Sequence, residues 1–256
     1  MPNAARIYDY YLGGRENFQA DRVAADELAK LVPGAEDAAH DNRAFLHRAV
    51  RFLAEQGISQ FLDIGAGMPG MPGTVSVLDV AREVHPDARV AYVDYDPIVV
   101  SHCGALLARP GQAVVVQADV RQPETLLAHP SVRGLLDFRK PVGVLLVAVL
   151  HYVSDDDHPA RIMSTLRDAL APGSYLAIGH VSHDHVPRPV MAAAVAAFAK
   201  SSASIWPRSA NQVRHLFDGF DLVEPGLVPQ PAWRPDGGTP PVRDTTFCLG
   251  GVALKT

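Results

Sequence analysis

Three acids and a run of glycines are the residues here whose types and spacing could do chemistry. Asp63 stands next to last in the short run Phe61-Leu62-Asp63-Ile64, which is followed at once by Gly65-Ala66-Gly67-Met68-Pro69-Gly70-Met71-Pro72-Gly73. Asp94 closes a second run, Arg89-Val90-Ala91-Tyr92-Val93, and Asp119 follows a third, Ala113-Val114-Val115-Val116-Gln117. Glycines let a backbone turn sharply and approach a ligand that any Cβ would push away. An acid at the end of a second strand can accept from both hydroxyls of a ribose, as it does in dinucleotide sites. Asp119 is suited to accept from an adenine amino group. Three carboxylates around one pocket would repel a pyrophosphate. They suit a nucleoside ligand that carries an ammonium and a sulfonium and no phosphate. The spacing Gly65-x-Gly67-x-x-Gly70 also satisfies the dinucleotide fingerprint, but Asp63, two residues before the first glycine, argues against it. Taken singly, Asp94 and Asp119 are equally well helix caps or turn formers. Their combination with the glycines, in this order, points to a ligand.

The elements that must position these residues alternate. Strand 59–64 leads into the glycine turn, and a helix follows from Thr74 to about Val84. Strand 89–94 precedes Asp96-Pro97, a good N-cap and first helical residue, for a helix with Val100, Cys103, Leu106 and Leu107 inward. Strand 113–117 comes next, then a helical stretch from Pro123. Strand 142–149 is continuously apolar, as a central parallel strand buried on both faces should be. A helix over 158–170, with Asp155-Asp156-Asp157 as its solvated cap, and strand 174–180 follow. The last quarter holds helix 188–202, helix 210–217 with a Ser209/Gln212 capping box, strand 220–224, a Pro/Gly-rich loop over 225–241, and strand 245–254. The last two strands have no helix between them and fit an antiparallel hairpin at the sheet edge. Residues 1–57 have helical patterning, with helices over 3–12, 21–31 and 36–56. The last of these places Phe45, Leu46, Ala49, Phe52 and Leu53 on one face. The chain is therefore expected to be one α/β domain, with a helical extension or lid over 1–57 and a ligand-binding core over 58–256. The sheet is expected to be mostly parallel with helices on both faces.

In such sheets ligands sit outside the carboxyl ends of the strands. There Tyr95, Val120, Ala148, Leu150, His151 and Tyr152 join the glycines and acids, and strand five contributes His180, Ser182, His183 and His185. The aromatic cluster Tyr8, Tyr10 and Tyr11 suits either a lid, since aromatic faces attract a sulfonium by about 0.5–2 kcal/mol, or plain packing. Arg15 and Asn17 suit either a ligand carboxylate or a turn cap. His180-x-x-His183-x-His185 does not match the familiar zinc spacings, and no metal is expected.

Bulk properties narrow the class. The 256 residues are 48% apolar and 20% charged, with a net charge of −5, the balance of a globular protein and not of a nucleic-acid binder. Two cysteines, Cys103 and Cys248, form no framework, which suits a reducing compartment. The start lacks an apolar signal core, and the longest apolar run, Val142 to Leu150, is too short to span a bilayer. The expectation is a cytoplasmic protein with a small-molecule substrate, no nucleic-acid partner and no membrane contact; nothing indicates its oligomeric state.

The sequence resembles a class I S-adenosylmethionine-dependent methyltransferase. More closely, it resembles the actinobacterial S-adenosyl methyltransferase family long catalogued as a domain of unknown function. The resemblance runs through Ala5-Arg6-Ile7-Tyr8-Asp9-Tyr10-Tyr11-Leu12-Gly13-Gly14, Asn42-Arg43-Ala44-Phe45-Leu46, Phe61-Leu62-Asp63-Ile64-Gly65, Tyr92-Val93-Asp94-Tyr95-Asp96-Pro97, Gln117-Ala118-Asp119 and Val147-Ala148-Val149-Leu150-His151, and on to Gly250-Gly251-Val252. It implies a Rossmann-like, seven-stranded sheet with strand seven antiparallel, and S-adenosylmethionine as cofactor. By position, Gly65 and Gly67 (with Asp63 and Ala66) would approach the methionine moiety, Asp94 the ribose and Asp119 the adenine. His151 is the first candidate for a general base, since His titrates near working pH and would face the methyl group; it equally fits a packing role. Tyr8, Tyr11, Arg15, Asn17, Tyr152 and His180 are the candidates on the substrate or lid side. The chain departs from the family at Gly70-Met71-Pro72-Gly73, inserted between Pro69 and Thr74. Two other readings fit the fold: an NAD-dependent oxidoreductase, and a methyltransferase-like binding protein without turnover.

Overall fold

The computed structural model describes residues 1–70, 74–184, 186–237 and 247–256. The second half of the glycine turn (71–73), His185 and the start of the final expected strand (245–246) lie outside them. Three helices come first: α1 (Ala4–Tyr11), α2 (Gln19–Leu31) and α3 (Ala35–Glu55). Alternation then begins with β1 (Gln60–Ile64), α4 (Val77–Val84), β2 (Arg89–Asp94), α5 (Pro97–Leu106) and β3 (Ala113–Gln117). Two short helices, α6 (Pro123–Ala128) and α7 (Pro130–Leu135), precede β4 (Gly143–Val147), α8 (Pro159–Ala169) and β5 (Tyr175–Val181). The chain ends with α9 (Arg188–Phe198), α10 (Ala210–His215), β6 (Asp221–Leu222), β7 (Val228–Pro229) and β8 (Cys248–Leu254).

The sheet order is β3-β2-β1-β4-β5-β8-β6, with β7 also on β8. β1 to β5 are parallel, and β8 runs antiparallel between β5 and the β6/β7 edge. The order reverses between β1 and β4, the switch point where open sheets leave a crevice. The expected sixth strand is two short pieces on the same side of β8, Asp221↔Leu254 and Val228↔Gly250. Among the described residues eight strands therefore stand where seven were expected, and part of the expected loop is strand β7.

Local chemistry sets the element ends. Asp96 caps α5, its Oδ1 accepting the Ile98 N–H at 2.8 Å, with Pro97 behind it. Ser209 and Gln212 form the expected capping box. The helix expected from Thr74 begins three residues later, because Ser76 and Asp79 make a capping box of their own. The Leu78 N–H also donates to Tyr92 Oη at 3.0 Å, tying that helix start to β2. β4 stops at Val147 because Ala148 turns out of the sheet at φ 63°. Asp155–Asp157 forms its own 3₁₀ turn closed by Ser154, and His158, in left-handed conformation, precedes α8. The acids therefore do not cap that helix, and Leu106 of α5 is exposed rather than inward.

One sheet face packs on α6, α7, α8 and α10 through Leu126, Leu135, Ile162, Leu166 and Val213. The other packs on α3 and α4 through Phe45, Leu53, Val77 and Ala81, with Trp233 edge-on to Phe45 and Phe52. A third cluster joins α1, α2 and α9 above the carboxyl ends of β4 and β5 and the amino end of β8.

Candidate functional site

Side chains alternate along a strand, so Asp63 shares its face with Phe61, which packs among α3 and α4 residues. It is buried, and burial pushes its carboxyl up to about 7, opposed by the Arg43 guanidinium and reinforced by Asp94. Gly65 follows at φ +75°, where a Cβ would stand 2.3 Å from Val149 Cγ2, so no other residue fits without displacing the turn that leaves β4. The Gly65 and Ala66 N–H groups both donate to the Val93 carbonyl, at 2.7 and 3.0 Å. Gly67, at φ +64°, donates its N–H to Asp94 Oδ2 at 3.0 Å, while Asp94 Oδ1 accepts from Asp96 N–H at 3.0 Å. Burial raises the Asp94 carboxyl and these two backbone donors oppose it. Each oxygen accepts one of these bonds and keeps capacity for another. Asp63, Gly65, Ala66, Gly67 and Asp94 therefore meet at the ends of β1 and β2. Asp119 lies past β3 with both oxygens gripped by Arg121, the closest approach being 2.5 Å. Tyr95 is half exposed and Val120 packs inward.

Arg43 did not stand out in the sequence. Its charge acts on Asp63 and on Asp9, its Cζ lies 5.7 Å from the Tyr8 ring centroid, and its Nε is buried without a hydrogen-bond partner. A turn later, His47 Nε2 is also buried and unpartnered, its imidazole held down at about 4 by burial and then by Arg43. An unspent guanidinium N–H beside an acid fits an amino-acid ligand, whose carboxylate and ammonium need opposite partners. The available signal was the polar pair Asn42-Arg43 interrupting the otherwise apolar face of α3.

A second compartment opens under the N-terminal helices. Ile7, Tyr8 and Tyr11 of α1, Ala39 and Asn42 of α3, and Ala194 of α9 line it, with Ala148, His151 and Tyr152 at its floor. It opens to solvent at a mouth, and among the described residues none of its lining side chains is Asp, Glu, Lys or Arg. Tyr8 Oη lies 3.1 Å from the Ala39 carbonyl and 3.0 Å from Asn42 Oδ1, sharing its one proton between them; Tyr11 donates to the Ala25 carbonyl at 2.8 Å. Asn42 Nδ2 and His151 Nδ1 are buried without partners.

His151 is held from behind. Its ring meets Tyr152 at 4.5 Å and His180 edge-on at 5.6 Å. His180 Nδ1 donates to the Val181 carbonyl at 2.7 Å, leaving Nε2 to accept from Arg208 at 3.1 Å. Arg208, also buried, donates to the carbonyls of Leu150 and Val153, each at 2.9 Å, and to Asp155 Oδ1 at 2.7 Å. Burial holds His180 down at about 4 and His151 well below the ordinary histidine value, the neighbouring His180 and Arg208 adding to the latter. Both rings are neutral near pH 7. No local pattern marked Arg208 in the sequence.

Other candidates fall elsewhere. Asn17 holds the turn after α1, donating to Asp9 Oδ2 at 2.8 Å and the Gly14 carbonyl at 3.0 Å and accepting from Arg22. Arg15 is exposed, Tyr10 reaches Asp26, and His183 faces Asp184 at 3.5 Å. His180 sits beneath the pocket floor and does not line it.

Comparison with known proteins gives the family and the fold. A family model described as S-adenosyl methyltransferase matches residues 1–256. The chain is similar to a candidate methyltransferase from Thermobifida fusca, with 42% identity, TM-score 0.92, and coverage of 100% of this chain and 95% of that one. It is similar to a DUF574 family protein from Streptomyces avermitilis, with 36% identity, TM-score 0.93, and coverage of 100% and 98%. A SAM-dependent methyltransferase from Methanosarcina mazei shares the fold, at 14% identity, TM-score 0.53, and coverage of 77% and 92%. No curated protein matches the chain.

Proposed function

We propose a small-molecule acceptor and a specific cofactor cradle for this chain, which belongs to the S-adenosyl methyltransferase family. The observation that carries the reading is the meeting of two unlike compartments. The acid-lined glycine turn is pressed against Val149, and the next residue back, Ala148, floors the uncharged pocket. S-adenosylmethionine, when bound, supplies an activated methyl group on a sulfonium. Gly65 and Gly67 give the backbone room beside it, Asp63 and Arg43 take its ammonium and carboxylate, and Asp94 takes the ribose hydroxyls. Asp119, once Arg121 yields, takes the adenine amino group. The donor is already activated, so the protein's work is to align the acceptor and exclude water, which the pocket under α1 and α9 is shaped to do. His151 receives the proton where the acceptor must lose one.

Calorimetric titration with S-adenosylmethionine, S-adenosylhomocysteine and NAD tests this. Both sulfur ligands should bind and NAD should not. Binding of NAD alone would end the reading. Hydrogen bonds to a charged group are worth about 1.5–3 kcal/mol each, so Asp94→Ala should weaken binding by at least about tenfold per lost ribose bond. Unchanged affinity would remove Asp94 from the cradle.

A further inference from the structure

The chemistry of the pocket narrows its occupant. Resting on the methyltransferase reading, we propose that the acceptor is an uncharged, largely apolar hydroxy compound whose hydroxyl is presented to His151 and methylated there.

Three observations converge. First, among the described residues the lining carries no charged side chain, while aliphatic and aromatic groups from α1, α3 and α9 close it. A carboxylate or ammonium moved into such a space without a counter-ion costs several kcal/mol, so a charged acceptor is disfavoured. Second, the space is concave and opens at a mouth, its walls drawn from α1, α3 and α9 over a floor at the end of β4, the form of site that takes a small organic ligand. Third, the polar atoms left to a ligand are few. Tyr8 and Tyr11 spend their hydroxyl protons within the protein, whereas Asn42 Nδ2 and His151 Nδ1 are buried and unpartnered. His151 is only 5% exposed. Asn42 Nδ2 is a donor, suited to any oxygen the ligand carries. In the tautomer that carries its proton on Nε2, the neutral ring of His151 accepts at Nδ1, and a hydroxyl is the neutral group that both donates there and holds a lone pair for transfer.

The step balances. The acceptor oxygen forms a bond to the methyl carbon as the carbon–sulfur bond breaks, its electron pair staying on sulfur. The hydroxyl proton passes to His151 Nδ1 and from there to solvent. The positive charge of the sulfonium thus leaves as a proton, and the products in the pocket are a neutral ether and a neutral thioether.

The test uses 1-naphthol, naphthalene, 1-naphthoate and 1-naphthylmethylammonium as probes, with binding followed by naphthyl fluorescence at pH 7.5 on the full chain without cofactor. Naphthol should bind at least tenfold more tightly than either charged probe, and Ala194→Phe, which fills the pocket from α9, should abolish its binding. Naphthol should also bind better than naphthalene, and His151→Phe should erase that difference. Thermal unfolding of each variant, with Ala194→Leu as a milder filling, shows whether the fold survives. The proposal is overturned if naphthol does not bind, if a charged probe binds within threefold of it, if a folded Ala194 variant binds it unchanged, or if the naphthol preference survives in His151→Phe. None of these readouts uses the cofactor, so failure of S-adenosylmethionine to bind would strike the methyltransferase reading separately.

Discussion

Asn3 Nδ2 donates to Asp96 Oδ2 at 2.7 Å, joining the start of the chain to the residue that caps α5. Asp96 in turn donates its N–H to Asp94. Asn3 also caps α1, its Oδ1 accepting from Arg6 N–H at 3.2 Å, and its own N–H is held by the buried Asp21 at 2.8 Å. The first helix is thereby latched beside the residue proposed to hold ribose. Asn3→Asp separates the latch from the cap, because aspartate caps as well as asparagine but faces Asp96 with like charge. We expect stability within about 1 kcal/mol of wild type and S-adenosylhomocysteine dissociation at least tenfold faster by stopped flow. An unchanged dissociation rate would mean that α1 does not gate the site.

Asp63 makes the site a proton-coupled one. Its folded value of about 7 lies above the roughly 3.9 of an unfolded aspartate. The folded chain therefore holds an extra proton between those values, and this group's contribution to stability falls as pH rises from about 4 to about 7, by up to about 1.4 kcal/mol per pH unit. Above about 7 the loss is complete. An ammonium brought beside Asp63 pulls its value down, so cofactor binding near pH 6.5 should release protons. Calorimetry in buffers of different ionisation enthalpy reads this directly. Asp63→Asn should abolish the release and flatten the stability slope; persistent release in that variant would assign the proton to another group.

Legibility followed the range of the interactions. The glycine turn, Asp94 and the capped start of α5 were readable because each is a local rule: a turn needing positive φ, an acid at a strand end, an Asp-Pro cap. The mostly parallel sheet followed from strand–helix alternation. What escaped was held by distant partners. Arg43 matters because α3 lays it over the same face as Asp63, and Arg208 because it reaches carbonyls some 55 residues away. The split of the edge strand into β6 and β7 was hidden because two-residue strands carry no periodicity. Asn17 had two readings, and its bonds to Asp9 and Gly14 show it holding the turn.

Arg208 is a positioning residue, and its removal should separate stability and turnover from cofactor binding. Without it the carbonyls of Leu150 and Val153 lose a buried donor, at about 1–3 kcal/mol each, and His180 Nε2 loses the donor that holds the ring from behind. Urea unfolding of Arg208→Ala should show a loss of more than about 2 kcal/mol. Arg208→Lys keeps the charge but not the planar fork. It should fold, bind S-adenosylhomocysteine normally and turn over more slowly, with KM for the acceptor raised. Normal kinetics in a folded Arg208→Lys would show that the turn after β4 holds His151 without this clip.

The pH dependence of turnover tests His151 itself. An ordinary solvated histidine would give an acid limb near 6.5, where the base becomes protonated. Here burial first, then His180 and Arg208, hold the imidazole well below that value. The acid limb of kcat/KM should therefore lie well below pH 6.5, with activity flat through the neutral range. The same depression has a stability consequence. The unfolded histidine takes up a proton below about 6.5 and the folded one does not, so this residue's contribution falls as pH drops through that value and is fully present above it. His151→Gln should remove this linkage, lower kcat by about 10²–10⁴-fold as expected for a lost general base, and leave S-adenosylmethionine affinity unchanged. An acid limb at 6–6.5 that disappears in His151→Gln would place the ring in water rather than in the buried pocket floor. A kcat unaffected by the substitution would end its role as proton acceptor.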